Sequence, residues 1–221
     1  MKRVILFSFL IVLTLHINAQ EKTVKRTNAN NKTGVKEYFY VLKRDKKIKH
    51  GSFELQSLSG RTKVKGQYEH GKPSGVWTYY DYEGTVEQQY NYSSGELIYH
   101  KPNKEQPAYF QLKDGAYQKF IPDRPPLFIG GGAYMFTATG SRLKYPVQAT
   151  RMGIEGTVYI EVVVTVDGKL EQEKVIRGIG GGCDQEALRM IKLVPDTWLP
   201  ALKDGQPVDS KFELEIRFKL R

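Results

Sequence analysis

The stretch "KYPVQATRMGIEGTVYIEVVVTVDGKLEQEKVIRG", residues 144–178, decides how the C-terminal part of the chain folds. From 157 to 166 two sets of residues alternate, and this period of two predicts a strand with one buried face. Asp167-Gly168 is a tight hairpin signal, so a second strand at about 169–179 is predicted to run back antiparallel. The buried face of the first strand is predicted to consist of Val158, Ile160, Val162, Val164 and Val166.

Two short helices are predicted to flank this hairpin. The first opens at Tyr145-Pro146, because proline suits the first helical position, and Gly153 ends it. The second follows the glycines at 178–182, with Asp184 as a good N-cap and Pro195 as its stop. Its apolar stripe is formed by Leu188, Ile191 and Val194, flanked by Ala187 and Met190.

The glycine-rich residues 178–182 have the layout of a phosphate-binding loop, but their surroundings argue against one. Asp184 stands at the mouth of the helix, where an acidic side chain would repel a phosphate. The strand before the loop also arrives from a hairpin and not from a parallel βαβ unit. We therefore expect a crossover loop here and no bound cofactor.

The last strand, "KFELEIRFKLR" at 211–221, alternates without interruption. The residues predicted to face inward are Phe212, Leu214, Ile216, Phe218 and Leu220, and those predicted to face outward are Lys211, Glu213, Glu215, Arg217 and Lys219. Such alternation is typical of a sheet with one face on helices and one face in water. The predicted fold class is α+β, with a two-layer C-terminal domain in which a three-stranded antiparallel sheet carries two helices on one face.

An internal repeat with a period of 24 residues precedes this domain, at 51–95. Each unit reads as a short aromatic strand, a glycine turn, a second strand and another glycine turn. A single hairpin cannot bury its own face, so the units are predicted to stack into one all-β sheet. A partial unit at 37–51 is predicted to supply the leading strand. The matched pairs are Gly51 and Gly75, Phe53 and Trp77, Leu55 and Tyr79, Gly60 and Gly84, Tyr68 and Tyr92, and Gly71 and Gly95.

The aromatic residues of the repeat allow two interpretations. They form one packed face of the sheet, because aromatic side chains bury a large area. Alternatively, they form a ligand surface in which Trp77, Tyr79 and Tyr80 are the contacts.

The first residues predict export from the cytoplasm. Met1-Lys2-Arg3 is followed by an apolar run at 4–17 and by a small residue, Ala19, which is the pattern of a secretory signal peptide. The run is shorter than the about 20 residues that cross a bilayer. Residues 1–19 are therefore predicted to be a cleaved signal peptide, and the alternative is an uncleaved inner-membrane anchor. The other predicted units are a basic segment at 20–36, the repeats at 37–97, a connector rich in proline and glycine at 98–144, and the C-terminal domain at 145–221.

Two family resemblances follow from these motifs. The segment "GKPSGVWTYYDYEGTVEQQYNYSSGEL" resembles the MORN-type repeat over about residues 37–97. The strand–turn–strand at 154–170, the "CDQEALRMI" helix, "WLPALKDGQPV" and the closing "FELEIRFKL" resemble the TonB C-terminal domain over about 126–221. The first resemblance implies an elongated antiparallel sheet used for protein or membrane-surface contacts. The second implies an envelope domain that grips an extended peptide of outer-membrane transporters.

The TonB resemblance implies a binding site, but the N-terminal part of this sequence departs from the family pattern. The site is strand addition beside the final strand, at Lys211, Phe212, Glu213, Leu214, Glu215, Ile216, Arg217 and Phe218. The departure is that a signal-like segment stands where the family has a membrane helix coupled to a motor, and a repeat sheet stands where it has a long spacer. The function expected is peptide recognition linked to TonB-dependent transport. The alternative is a periplasmic adaptor without energy transduction, which binds a protein or an envelope surface through both sheets.

The remaining residues favour a binding protein and not an enzyme. His50, His70 and His100 lack metal-binding spacing, so no metal site is predicted. Cys183, the only cysteine, is expected to be a small buried hydrophobe. The net charge of +10 in an exported protein points to anionic envelope surfaces or a solvated basic face, and not to nucleic acid. Pairing between sheet edges would allow a homodimer.

Overall fold

Two antiparallel sheets, one from each half of the chain, make up most of the fold. They are seen in a computed structural model that describes residues 21–30, 33–103, 107–140, 142–195 and 197–220. The predicted signal peptide lies outside the described residues. No helix in the described part is long and apolar enough to cross a membrane.

The N-terminal sheet has seven strands in chain order, so it is a simple meander. Its strands are β1 (Thr23–Asn30), β2 (Val35–Leu42), β3 (Lys49–Ser57), β4 (Thr62–Glu69), β5 (Lys72–Tyr80), β6 (Val86–Asn91) and β7 (Glu96–His100). β1 lies in the basic segment predicted at 20–36, where no strand was predicted. Its sequence, TVKRTNAN, has almost no apolar residue and is exposed nearly throughout, so hydrophobic periodicity could not reveal it. Backbone pairing with β2 along all eight residues holds it as an edge strand.

The 24-residue period appears in the structure as a turn that occurs twice. After β3, the Ser57 amide donates to the Arg61 carbonyl at 2.8 Å, and after β5 the Asp81 amide donates to the Thr85 carbonyl at 3.0 Å. In each turn the residue before the closing one is a glycine with positive φ. The repeat therefore sets equivalent hairpins one after the other, as the sequence predicted.

Stacked aromatic rings form the core of the meander. Phe53 stacks on Trp77 at a centroid distance of 5.3 Å, and Tyr68 meets the same indole edge-on at 5.1 Å. The indole Nε1 donates to the Gln67 carbonyl at 3.1 Å, so its polar atom is satisfied. Gly66 on β4 lies against the ring face, and a Cβ built there would come within 3.0 Å of three indole carbons. The ring can occupy this place only because Gly66 has no side chain.

Gly66→Ala is expected to lower the free energy of unfolding by about 2 kcal/mol, because the added methyl forces the buried Trp77 out of its place. Chemical denaturation monitored by tryptophan fluorescence measures the loss. Gly132→Ala is the matched control, since its Cβ would meet nothing closer than 3.6 Å and it lies in a helix. The control is expected to be neutral or slightly stabilising, and equal losses in both variants would contradict the packing argument.

The C-terminal sheet has five strands in the order β12-β11-β16-β8-β9, and not the three that were predicted. Its strands are β8 (Tyr109–Lys113), β9 (Ala116–Phe120), β11 (Gly156–Val164), β12 (Leu170–Arg177) and β16 (Ser210–Phe218). Two small two-stranded ladders are also present: β10 (Leu127–Phe128) with β13 (Trp198–Leu199), and β14 (Ala201–Lys203) with β15 (Gln206–Val208). The two additional strands come from residues 98–144, where a connector was predicted. They form a hairpin through Asp114 and Gly115, both with positive φ, as a tight two-residue turn requires.

Three helices are found in the described residues: α1 (Gly131–Gly140), α2 (Val147–Met152) and α3 (Cys183–Ile191). α2 ends at Gly153 in the left-handed conformation, as predicted. α1 was not predicted, because three successive glycines at its start read as a break. Asp184 is not the N-cap of α3: Gly182 takes that place, and the Asp184 carboxylate instead accepts the amides of Ile179 at 2.8 Å and Gly180 at 3.3 Å.

The core of the C-terminal domain lies between the sheet and helices α2 and α3. Four alternate residues of β11 (Val158, Ile160, Val162 and Val164) are fully buried there. Ala149 of α2 and Ala187 of α3 pack against them and are also fully buried. Helices α2 and α3 therefore pack on this face of the five-stranded sheet, while α1 contacts the meander.

Helix α1 joins the two sheets. Its Tyr134 contacts Tyr79 of the meander at a ring distance of 5.3 Å and also packs against the C-terminal core. Glu87 of β6 accepts the amides of Gly132 at 2.7 Å and Ala133 at 3.3 Å through its two carboxylate oxygens. A carboxylate in this position satisfies free N–H groups at the start of α1 and complements the helix dipole.

Gln88, next to Glu87, also connects the two sheets. The buried Gln88 amide accepts from Gly130 N at 2.5 Å and donates to the Phe128 carbonyl at 3.1 Å. Gln88 has no exposed surface, so both bonds lie in a dry interface. Burial raises the pKa of Glu87, although its two backbone hydrogen bonds act in the opposite direction. A set of hydrogen bonds thus connects the two sheets.

Glu87→Ala is expected to cost about 1–2 kcal/mol of unfolding free energy, because the first amides of α1 lose their acceptors. Glu87→Gln retains an acceptor oxygen and removes the charge whose burial is unfavourable, so a smaller loss is expected. Thermal unfolding compares the two, with Glu83→Ala in the exposed turn as the control. Equal losses from alanine and glutamine would show that Glu87 does not act as a cap.

Candidate peptide-binding edge

The final strand β16 lies inside the C-terminal sheet. On one side it pairs antiparallel with β11 along its whole length, from Gly156 opposite Phe218 to Val164 opposite Ser210. On the other side β8 approaches. The final strand is therefore not the outermost strand of the sheet, because β8 and β9, from residues far earlier in the chain, extend the sheet beyond it.

β8 pairs with β16 over a short stretch only. The ladder between β8 and β16 consists of Lys211 opposite Phe110, at the start of β16. From 212 to 218, no strand in the described part of the chain pairs with this side of β16. The outward-pointing N–H and C=O groups of this stretch can therefore bond an incoming extended chain.

The side chains of β16 divide between the two faces as the alternation predicted. Phe212 and Phe218 are buried, and Leu214 and Ile216 pack partly buried against the same core. On the opposite face Glu213, Glu215 and Arg217 are exposed, and no ion-pair partner is found for them among the described residues. The open edge thus carries a core-facing apolar row and a solvent-facing charged row.

Lys211 differs from the other outward residues because it fixes the β8–β9 hairpin to β16. Its Nζ lies 3.1 Å from Glu161 Oε2 on β11 and 4.0 Å from the ring centroid of Tyr117 on β9. It also lies 5.6 Å from the Phe110 ring centroid. The side chain of Lys211 is only 18% exposed, so these contacts are largely shielded from water. Lys211 therefore anchors the hairpin at the start of β16.

Lys211→Ala is expected to weaken the docking of the β8–β9 hairpin by about 1–2 kcal/mol, because a partly desolvated cation–π contact and an ion pair are lost together. Amide hydrogen exchange should become faster in 109–120 while β11 remains protected. Lys219→Ala, an exposed residue beyond the end of β16, is the control and should change neither region. Unchanged exchange in the hairpin would contradict the assignment of Lys211.

The aromatic residues that were candidate surface contacts are mainly core residues. Trp77 and Tyr79 are 4% and 2% exposed, and the Tyr79 and Tyr92 hydroxyls lie 2.9 Å apart. Burial, together with neighbouring tyrosines, raises the pKa of Tyr79 far above its usual value. Tyr80 is half-buried. In this structure Trp77 and Tyr79 cannot contact a ligand, which agrees with the packed-face interpretation.

The remaining chemically distinctive residues lie apart from β16. Cys183 is fully buried, and burial and then the Asp184 charge raise the pKa of its thiol. His100 is half-buried, and burial lowers its pKa. His50 and His70, for which no metal site was predicted, lie together beside Glu21. The sequence offered one signal for this: each histidine is followed by a glycine, His50 by Gly51 and His70 by Gly71. In the structure both glycines have positive φ.

The C-terminal domain is similar in sequence to known proteins. Residues 141–220 match the family model described as Gram-negative bacterial TonB protein C-terminal. Protein TonB of Vibrio cholerae serotype O1 (strain ATCC 39315 / El Tor Inaba N16961) is 36% identical over 80 residues, which are 35% of this chain and 31% of that protein. The match thus spans about a third of the relative's length. The chain has a TonB-like C-terminal domain, as the sequence predicted.

A solved structure is also similar. The NMR solution structure of the Helicobacter pylori TonB-CTD has 26% sequence identity and a TM-score of 0.31, covering 39% of this chain and 78% of that chain. The family match begins at residue 141, so it does not include the seven-stranded meander. For the meander, the resemblance to the MORN-type repeat stays a prediction.

Proposed function

We propose that this protein is an exported cell-envelope binding protein that captures an extended segment of an outer-membrane transporter by strand addition beside β16. The observation that carries the proposal is the open side of β16 at 212–218, within a domain that matches the TonB C-terminal family. Seven residues of strand span about 23 Å, enough for a peptide of similar length. The domain acts as a binding module, and the proposal assigns it no catalytic step.

β16 suits strand addition better than the two outermost strands of the same sheet. β12 is irregular: its register with β11 shifts twice, and Gln172 has a positive φ of 57°. Irregularities of this kind disrupt the ladder and discourage a further strand. β9 is only five residues long. By contrast, the pairing of β16 with β11 has no register shift, so its free side is regular.

The charged face of β16 would select among peptides. A strand laid beside 212–218 places every second side chain next to Glu213, Glu215 and Arg217. Opposite charges at these positions stabilise the added strand and like charges destabilise it. Backbone bonds then supply the general affinity, and the order of two acidic residues and one basic residue supplies the register.

A periplasmic adaptor without energy transduction is the second candidate, and the meander favours it. Glu87 and Gln88 attach this sheet to the C-terminal domain, where an energised transducer would be expected to have a long spacer. One face of the meander also carries an open groove of about 470 Å³, whose lining includes Lys25, Lys65, Tyr38 and Tyr40. This surface would contact an anionic envelope component or a second copy of the chain. Mass spectrometry of the N-terminus of the mature protein separates the two, because a chain cleaved near Gln20 lacks an inner-membrane anchor.

Strand addition is tested by titrating the isotope-labelled protein with peptides from the periplasmic segments of outer-membrane transporters of the same organism. The largest shifts are expected in the amides of 212–218, with cross-strand contacts between peptide and β16 backbones. Glu215→Pro, which removes a backbone donor, should weaken binding about 10-fold or more. Glu173→Pro on β12 should not weaken it.

Two results would overturn this proposal. One is a set of shifts confined to β9, β12 or the meander, and the other is peptide binding that both proline variants leave unchanged. Arg217→Glu serves if proline at 215 prevents folding, because it keeps every backbone donor. It is expected to favour basic over acidic peptides relative to the unmodified chain. Self-association without peptide binding would identify a second copy of the chain as the partner of the edge.

A further inference from the structure

Glu21, His50 and His70 converge at one end of the meander, although they come from three separate parts of the chain. Glu21 precedes β1, His50 lies in β3, and His70 lies in the turn between β4 and β5. One ligand-type atom of each residue lies within 4.8 Å of the others. The convergence follows from strand order, because the start of β3 and the end of β4 are paired across Gly51 and Tyr68.

The side-chain atoms are aimed at one another. His70 Nε2 is 2.8 Å and His50 Nδ1 is 3.8 Å from the same Glu21 oxygen, Oε2. The two imidazole rings meet edge to face at 4.9 Å. His50 Nδ1 also accepts a long hydrogen bond of 3.3 Å from the His70 amide.

Neighbouring groups hold the three residues in place. The other Glu21 oxygen, Oε1, is paired with Arg44 at 2.7 Å, which orients Oε2 toward the histidines. The Lys43 amide donates to the Lys22 carbonyl at 2.8 Å and fixes the chain beside Glu21. The Gly71 amide donates to the Lys49 carbonyl at 2.8 Å and fixes the turn that carries His70. The cluster is therefore built on paired backbone and not on a loose loop.

We propose that Glu21, His50 and His70 form a binding site for a divalent transition-metal ion of the zinc class. Imidazole nitrogens and a carboxylate oxygen are ligands that Zn²⁺ accepts. With metal–ligand bonds of about 2.0–2.2 Å, ligand atoms of a tetrahedral site are about 3.4 Å apart. The two distances to Glu21 Oε2, 2.8 and 3.8 Å, lie on either side of that value, and all three ligand atoms lie within 4.8 Å of one another. Rotation of the side chains would bring the three atoms to the tetrahedral spacing.

The partial exposure of the cluster also fits such a site. The side chains of Glu21, His50 and His70 are 30%, 23% and 53% exposed, so an ion can enter from solvent. Three protein ligands leave a fourth position for water or for an external donor. Arg44, as the partner of the outer carboxylate oxygen, corresponds to the supporting groups that orient metal ligands. Binding would tie the residue before β1 to two later hairpins and so stabilise the exposed edge of the meander.

The test is a titration of the untagged protein, freed of metal with a chelator, with Zn²⁺ by calorimetry and with Co²⁺ by visible absorption. One ion per chain is expected, with the absorption of tetrahedral Co²⁺ bound to nitrogen and oxygen. His50→Gln and His70→Gln should each weaken binding at least about 10-fold. His100→Gln, a histidine of the same sheet outside the cluster, should bind as the unmodified chain does. Saturating Zn²⁺ should raise the unfolding temperature of the unmodified chain and of His100→Gln, but not that of His50→Gln or His70→Gln.

Two outcomes would overturn the metal site. One is the absence of saturable binding at one ion per chain, and the other is an unchanged isotherm in His50→Gln and His70→Gln. If either histidine variant fails to fold, Glu21→Gln decides the question, because it replaces a charged ligand at the start of the described chain without changing its shape. Zn²⁺ binding that Glu21→Gln leaves intact would then exclude the proposed ligand set.

Discussion

The antiparallel pairing of β11 with β16 is the interaction on which the C-terminal domain depends. It runs without a register shift from Gly156 to Val164, so the buried rows of both strands fall on one face. That face receives α2 and α3 and forms the core. A slip of one residue would turn every buried side chain toward water, which is why the register is firmly set. The same regularity, a pairing without a register shift, supports the proposed addition of a further strand on the opposite side of β16.

The position of the β8–β9 hairpin determines how much of that side stays open. The hairpin pairs with β16 only at Lys211, and Lys211 is held there by Glu161 and the Tyr117 ring. The hairpin also reaches β12 through the Tyr117 hydroxyl, which donates to Gln172 Oε1 at 3.3 Å. Contacts on both sides of the central strands fix the hairpin at the beginning of β16. The remaining edge is therefore a defined segment with a fixed start.

The sequence predicted elements whose pattern is local and strong. β11 and β12 follow from strict alternation and an Asp-Gly turn, and the repeat follows from its glycine spacing. The sequence analysis missed β1, the β8–β9 hairpin and α1 for identifiable reasons. β1 has no apolar face, β8–β9 lies among prolines, and α1 begins with glycines whose amides are capped from another strand by Glu87. Contacts distant in sequence stabilise α1 and the β8–β9 hairpin, and local pattern cannot report such contacts. β1 is held by backbone pairing with its neighbour β2, which leaves no trace in the side-chain pattern.

The sequence likewise predicted some features of the candidate site and missed others. The inward and outward faces of β16 could be predicted, because side-chain alternation is a property of the strand itself. Its place within the sheet could not, because strand order depends on where a hairpin some hundred residues earlier docks. The Glu21, His50 and His70 cluster has no linear motif, since its spacing is set by strand pairing across a meander. Sites of this kind become visible only when the register of the sheet is known.

Differences between the sheet edges support the proposal that residues 212–218 of β16, and not another edge, bind the partner. β1 is long, but Lys25 and Arg26 and its polar neighbours keep it solvated and discourage pairing. β12 is bulged, and β9 is short. β16 has the opposite combination, with a regular backbone, an apolar row already anchored in the core, and charges only on the solvent face. Adding a strand there would cost little free energy for ordering the protein, because β11 already holds β16 in its bound conformation.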